Sequence, residues 1–411
     1  MNLFDNGKAI YMLEGVFMKV LWIDPVNSDP QFLNALSLAL ASENNDVTVC
    51  SNRRKHYDVP EEISWTTFSV REVSQTFDGK PFFQEIKTYA SSIFAFPYFY
   101  FWIRAIRLAR KMKVKNIIFS SSLVFPYIDS LGLSILKSAG IASLLISHKP
   151  YPNFFRDTHK KNASKYIFFY SSVTKIMVMT NYSKALLKKE FNIDDKRFIS
   201  FPHPHFNNLL SKNLPLTGLK NSFSDWAGDS PVIAFISTPY ERGLELFTES
   251  LFYLKNILPN AKLLIISTLY DIARQKNIEY SSEKAGFGNS AWFHWNPYSY
   301  SELLAYLHAV SVIAVPYPHS TQSGVIPMAN GLGIPVVSTT AGGLPEMVIA
   351  GKTGELVPYG DPEAFACAVA KVASPDANKI YKKNVSELFE SLFSPKKAAK
   401  VICESLISTK I

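Results

Sequence analysis

The sequence predicts an α/β protein of two lobes, each built on a parallel sheet. Three observations carry this. Short apolar runs ending in small polar residues alternate with helically spaced segments through both halves of the chain. A Gly-, Pro-, Ser- and Asn-rich stretch interrupts that alternation once, near residues 208–230. From Glu302 to Glu346 no Asp, Glu, Lys or Arg intervenes, as expected of neighbouring parallel strands covered on both faces.

The first half opens at Met18. "KVLWIDPV" (Lys19–Val26) is a short apolar run closed by a turn, hence a buried strand. "FLNALSLALAS" (Phe32–Ser42) has helical spacing, and "DVTVCSN" (Asp46–Asn52) is the next strand. "KNIIFSSS" (Lys115–Ser122), "IASLLISH" (Ile141–His148) and "KIMVMTN" (Lys175–Asn181) continue the series, with helical segments between them, as in parallel βαβ units. Residues 1–17 read as an extension of little structural weight and lack the basic start and apolar core of a secretory signal. Thr88–Ile103 is the longest apolar candidate for a membrane span. It has about 16 residues against the roughly 20 a helix needs, and Pro97 interrupts it, so we expect it not to span.

The second half repeats the alternation. Val232–Ser237 is a strand, Gly243–Asn256 a helix, Ala261–Thr268 a strand, Ser301–Val310 a helix and Ser311–Tyr317 a strand. A short helix, the strand Pro335–Thr340 and closing helices follow. The predicted organisation is an extension (1–17), an N-terminal lobe (18–207), a linker (208–230), a C-terminal lobe (231–392) and a terminal segment (393–411).

Composition narrows the function classes. The 411 residues carry a net charge of +9, which favours anionic partners: nucleotides, nucleic acid or an acidic membrane face. No recognised nucleic-acid module occurs, so nucleic acid is set aside. Cys50, Cys367 and Cys403 lie far apart, which argues against a disulfide framework or zinc site and fits a reducing compartment. In "FPYFYFWIRAIRLARKMKVK" (Phe96–Lys115), Arg104, Arg107 and Lys111 share a helical stripe with Arg110 nearby. The stripe suits either a solvated helix face or contact with an anionic membrane surface.

The most informative stretch is "HSTQSGVIPMANGLGIPVVSTTAGGLPEMV" (His319–Val348). "STQSG" follows a strand and opens a helix, so backbone N–H groups at Ser323–Val325 face outward and Gly324 admits a close ligand. "AGGLPE" repeats the arrangement, with Gly342 and Gly343 turning into a second helix. Two such turns at adjacent strand ends make one crevice, the place where open α/β sheets bind ligands. The plainer alternative is that these glycines only satisfy tight turns.

From "PYPHSTQSG" through "GIPVV", "GGLPE", "GKTGELV" and "GDPEA", the segment resembles the donor-binding part of family 4 retaining glycosyltransferases. These have the GT-B fold, two doubly wound Rossmann-like lobes facing across a cleft. The resemblance is specific mainly over residues 311–366. "ISHKP" (Ile146–Pro150) resembles the strand of the family that ends in His, and "YERGLELFTESL" resembles its C-lobe basic turn. Two departures stand out. The family's pair of glutamates separated by seven residues falls on Ser320 (or Thr321 with a one-residue gap) and Met328, as in a variant branch with a TQSG loop. The first of two basic residues in the turn is also missing, leaving Arg242.

The resemblance implies a retaining glycosyltransferase moving a sugar from a UDP- or GDP-sugar to a glycan or lipid-linked acceptor in cell-surface polysaccharide biosynthesis. It implies no metal or other cofactor, a cytoplasmic setting, and a terminal helix (Pro395–Ile411) packed back on the first lobe. The implied catalytic residues are His148 and Arg242. The donor would be held by Arg242, Asn296, Tyr298, Gln322, Ser323, Gly324, Val325, Gly342, Gly343 and Glu346. Each has a plainer role open to it. His148 can be a structural strand-end histidine, Arg242 a surface arginine, and Gln322, Ser323 and Glu346 helix caps. Asn296 and Tyr298 can simply pack a turn, and His203 and His205 read as hinge residues. Two other functions stay open: a catalytically inactive GT-B scaffold in a glycan-assembly complex, and a nucleotide-sugar epimerase.

Overall fold

The computed structural model describes residues 18–25, 30–51, 64–67, 76–77, 80–81, 90–120, 125–150, 163–210, 216–237 and 243–409. The N-terminal lobe runs β1 (Lys19–Asp24), α1 (Pro30–Ser42), β2 (Asp46–Ser51) and β3 (Ser64–Thr67). A two-residue antiparallel pair, β4 (Thr76–Phe77) and β5 (Lys80–Pro81), follows. Then come α2 (Ala90–Met112), β6 (Asn116–Ser120), α3 (Pro126–Ser138), β7 (Ala142–Ile146), α4 (Ala163–Ser172), β8 (Lys175–Val178), α5 (Asn181–Phe191) and β9 (Phe198–Ser200). The seven strands order as β3-β2-β1-β6-β7-β8-β9, all parallel.

The C-terminal lobe runs α6 (Thr217–Ala227), β10 (Val232–Ser237), α7 (Leu244–Ile257), β11 (Lys262–Ser267), α8 (Ile272–Lys284), β12 (Ala291–His294) and α9 (Tyr300–Leu307). It continues with β13 (Val312–Val315), α10 (Val325–Gly331), β14 (Val336–Thr339), β15 (Gly354–Val357), α11 (Pro362–Ala373), α12 (Pro375–Phe393) and α13 (Pro395–Ser408). Its six parallel strands order as β12-β11-β10-β13-β14-β15. Every residue of β10, β13 and β14 is buried, which is why these strands read as unbroken apolar runs rather than alternations. Strand order reverses between β1 and β6 and between β10 and β13, so each sheet has a switch point opening at its carboxyl edge.

The core is continuous across the join. One apolar cluster takes Val20, Phe32 and Leu36 from the first lobe, Phe201 and Phe206 from the crossover, Ile313 and Ile326 from the second lobe, and Ile402 from α13. Helix α13 lies along α1, and Asn116 Nδ2 donates to the Leu406 carbonyl at 2.5 Å, fastening the chain's end to the first lobe.

Two expectations change. The segment 208–230 is not a plain linker, because it contains helix α6. Leu219, Phe223 and Ala227 recur every four residues on one face, and Phe223 is fully buried with its ring 5.4 Å from Trp292 and 5.2 Å from Tyr306. The second Gly-rich turn opens only a single 3-10 turn, Leu344–Glu346, not a helix. Pro345 lacks an amide hydrogen, and the chain must reach β15 within a few residues. The basic, aromatic segment folds into α2, and among the described residues no helix is long and apolar enough to cross a membrane.

Candidate active site

At the switch point of the second sheet the chain leaves β13 through "PYPHSTQSG". Gly243, just before α7, has φ +79, and a Cβ there would lie 1.8 Å from the Pro316 carbonyl oxygen. Only glycine lets these two loops touch. Gly342 has φ +58, its Cβ would meet the Ser320 oxygen at 2.0 Å, and a Cβ on Gly343 would meet the Thr321 oxygen at 2.2 Å. The Gly343 N–H donates to the Ser320 carbonyl at 3.0 Å. The two glycine-marked turns therefore lie against each other at neighbouring strand ends.

The first lobe closes directly onto them. Thr321 Oγ1 donates to the His148 carbonyl at 2.7 Å, and Gln322 Nε2 lies 3.3 Å from His148 Nδ1. The hydroxyls of Thr180 and Ser183, at the start of α5, donate to the Thr321 carbonyl at 2.8 and 3.2 Å. The Glu346 carboxylate accepts the backbone N–H groups of Asn181 and Tyr182 at 2.6 and 2.8 Å. A carboxylate on two orphan amides at a helix start suits both its charge and the helix dipole.

Behind this seam, the Phe32 ring stands edge-on to His148 at 4.8 Å and to His203 at 5.3 Å. Burial pushes the His148 pKa down to about 3, with His203 and Lys149 adding repulsion. Burial likewise brings His203 to about 4, despite its hydrogen bond to the Pro204 carbonyl. Both rings are neutral at physiological pH, able to hydrogen-bond but not to supply charge.

The structure thus gathers His148, Gln322, Gly324, Gly342 and Gly343 at one seam between the lobes. Others are placed differently. The Ser323 hydroxyl, 3% exposed, accepts the Val325 N–H at 3.2 Å, and the Ser323 N–H points at Met347 Sδ at 3.4 Å. The Val325 amide is thus held by the Ser323 hydroxyl, one residue before the α10 N-cap at Gly324, and the Ser323 amide faces the Met347 thioether. Glu346 likewise faces α5 instead of a donor. Met328, at one lost glutamate position, is 6% exposed and part of the core. Asn296 is exposed and Tyr298 half-buried on the loop after β12, at the same carboxyl edge of the sheet two strands from β10. Arg242 lies outside the described residues. Thr180, Thr321, Phe32 and His203 were not singled out as site residues by their sequence context. The regular alternation of "FPHPHF" was the available signal for His203.

These lobes define a GT-B fold, shared with solved structures over nearly the whole chain. Sucrose-phosphate synthase from Thermosynechococcus elongatus superposes with a TM-score of 0.71 at 17% identity, covering 94% of this chain and 98% of its own. HepE from Anabaena, solved in complex with UDP, gives 0.69 at 13% identity, covering 95% and 100%. Residues 230–374 match the family described as Glycosyl transferases group 1. Over 133 residues the chain is 31% identical to D-inositol 3-phosphate glycosyltransferase of Corynebacterium urealyticum, a stretch covering 32% of this chain and 31% of that relative. Over 48 residues it is 50% identical to a Salmonella typhimurium protein named as a colanic acid biosynthesis glycosyltransferase, WcaL, 12% of each chain. The chain thus spans about a third of the length of the first of these relatives (31%) and 12% of the second.

Proposed function

We propose that the chain is a retaining glycosyltransferase that transfers a sugar from a UDP- or GDP-sugar to a glycan or lipid-linked acceptor in cell-surface polysaccharide assembly, in the cytoplasm and without a metal. The observation that carries this is the pairing of the TQSG loop with the Gly342–Gly343 turn at the second sheet's switch point, directly opposite His148. The group 1 match covers this loop and turn, and the HepE likeness adds a neighbour that binds UDP.

Transfer breaks the bond between the anomeric carbon and the diphosphate and forms one to an acceptor oxygen. The departing diphosphate keeps the bonding electrons and takes the acceptor's proton, so a carboxylate base is not demanded of the cleft. Preplaced positive charge and dipoles assist its departure, and Arg242 is the side chain we assign to that task. Neutral His148 would hydrogen-bond the sugar. Incubating the protein with UDP- and GDP-sugars and lipid-extract acceptors in EDTA should release one nucleoside diphosphate. No release from any donor would count against catalysis.

The acceptor side favours an anionic membrane surface. Arg104, Arg107, Arg110 and Lys111 are all exposed on α2. On the same helix Phe99 is 41% and Tyr100 50% exposed, and α3, which lies between α2 and α4, exposes Tyr127 and Leu131. On α4 Phe168 is 64% exposed. Basic and apolar side chains on adjoining helices suit a lipid headgroup boundary.

A non-catalytic scaffold is the second reading. It is favoured by Met328, whose burial leaves no polar group at that position.

A further inference from the structure

His203 lies in the crossover between the lobes, 2% exposed, and its two ring nitrogens have different surroundings. Nδ1 is 2.9 Å from the Pro204 carbonyl oxygen. A carbonyl only accepts, so Nδ1 carries the ring proton and Nε2 is a lone-pair acceptor. That Nε2 is buried without a hydrogen-bond partner. Gln322 offers the same from the second lobe. Its amide nitrogen faces His148 Nδ1 at 3.3 Å, and its Oε1 is buried and unpartnered. Buried acceptors without partners are destabilising, and of the eleven such side-chain atoms among the described residues these two belong to side chains set against His148 and Gly324.

Gly324 adds an independent observation. Its φ of −76 and ψ of −20 are open to any residue. A Cβ there would meet only His203 within 4 Å, with Nε2 at 3.7 Å and Cε1 at 3.8 Å. Neither backbone conformation nor a clash requires this glycine, unlike Gly243, Gly342 and Gly343. A Cβ added there would stand in ordinary contact with the His203 ring, on the side of its unpartnered Nε2.

We propose that His203 is a specificity-determining residue of the donor site, accepting a hydrogen bond from one hydroxyl of the donor sugar while Gln322 Oε1 accepts from a second. The inference rests on the glycosyltransferase reading above and extends it to His203, outside the matched family segment. The chemistry of the pair selects the ligand group. Two neutral acceptors repel a phosphate, which brings only acceptors of its own. Adjacent hydroxyls, each with a proton to donate, satisfy both. His203 comes from the crossover and Gln322 from the second lobe, so the pair spans the join between the lobes.

The test is calorimetric binding of UDP, UDP-glucose, UDP-galactose, UDP-N-acetylglucosamine, GDP and GDP-mannose. The quantity read is the affinity a sugar adds over its own diphosphate. His203→Phe keeps an aromatic ring against Phe32 and removes the acceptor, whereas His203→Gln can return an amide oxygen. We expect His203→Phe to lower the sugar's advantage about tenfold while leaving diphosphate affinity within about twofold, and His203→Gln to restore part of it. Gly324→Ala should act in the same direction with no loss of thermal stability. One deoxyfluoro analogue of the preferred sugar, unable to donate, should bind the native protein and His203→Phe alike. An unchanged advantage in His203→Phe overturns the assignment, as does equal weakening of diphosphate and sugar, or a sugar that adds nothing in the native protein. Failure of the native protein to bind any diphosphate removes the donor-site reading itself, and this assignment with it.

Discussion

Glu346 accepts the backbone N–H of Asn181 at 2.6 Å, so a carboxylate from one lobe caps a helix of the other. Its second oxygen takes the Tyr182 N–H at 2.8 Å. Glu346→Ala should leave both amides without this partner and cost about 1–2 kcal/mol of stability. Because the bonds cross the cleft, the same change should widen the lobes. Solution scattering on Glu346→Ala should give a larger radius of gyration than the native protein, and identical scattering would mean the seam is held by the threonine and serine contacts alone.

The glycines give a sharper contrast. Gly342→Ala would force a left-handed residue onto a Cβ 2.0 Å from the Ser320 oxygen. The neighbour is backbone and cannot turn aside, so we expect a loss of more than about 2 kcal/mol. Urea unfolding measures this directly, and a loss below about 0.5 kcal/mol would show that the loop relaxes freely.

Much of this architecture is legible in sequence, for physical reasons. Strands such as β10 and β13 are buried on both faces, so apolarity alone marks them within one or two residues. Helix α6 was hidden because Gly, Ser and Asn around it resemble a linker, while its Leu219–Phe223–Ala227 face is narrow. The crevice was legible as two glycine-marked turns. The directions of its side chains were not, since they depend on partners far along the chain. Glu346 meets a helix 165 residues earlier, and Thr321 meets a carbonyl 173 residues earlier. No local pattern encodes such a contact, so Glu346 and Ser323 read as donor ligands when the carboxylate of one spans the lobes and the hydroxyl of the other holds the Val325 amide.

Acid should weaken the fold through His148 and His203, whose values burial lowers furthest. Each has an ordinary value of 6.5, and in the folded protein His148 lies near 3 and His203 near 4. Below about pH 6.5 the unfolded chain binds protons that the folded one refuses, so stability is full above that pH and falls as the pH drops toward 4. Each ring contributes a slope of about 1.4 kcal/mol per pH unit within that window. Denaturant unfolding at pH 7.5 and 5.5 should show the drop, and His148→Phe combined with His203→Phe should reduce it, leaving the smaller part due to His205 and His308, whose values burial also lowers. An equally steep drop in the double variant would place the titrating groups elsewhere.

Charge reversal on α2 tests the membrane surface. Arg104→Glu with Arg107→Glu should abolish flotation with vesicles containing phosphatidylglycerol and leave thermal stability within about 0.5 kcal/mol, since both side chains are exposed. Equal flotation of both proteins would reject this face as the docking surface.

We expect the second sheet's switch point, where the TQSG loop meets the Gly342–Gly343 turn, to bind a nucleoside diphosphate. Calorimetric titration of the native protein with UDP, GDP and ADP in EDTA tests it most directly, with Arg242→Ala as the companion variant. One diphosphate should bind saturably, about tenfold or more weakly in Arg242→Ala. Heat changes no larger than dilution for all three would contradict it and leave the scaffold reading in its place.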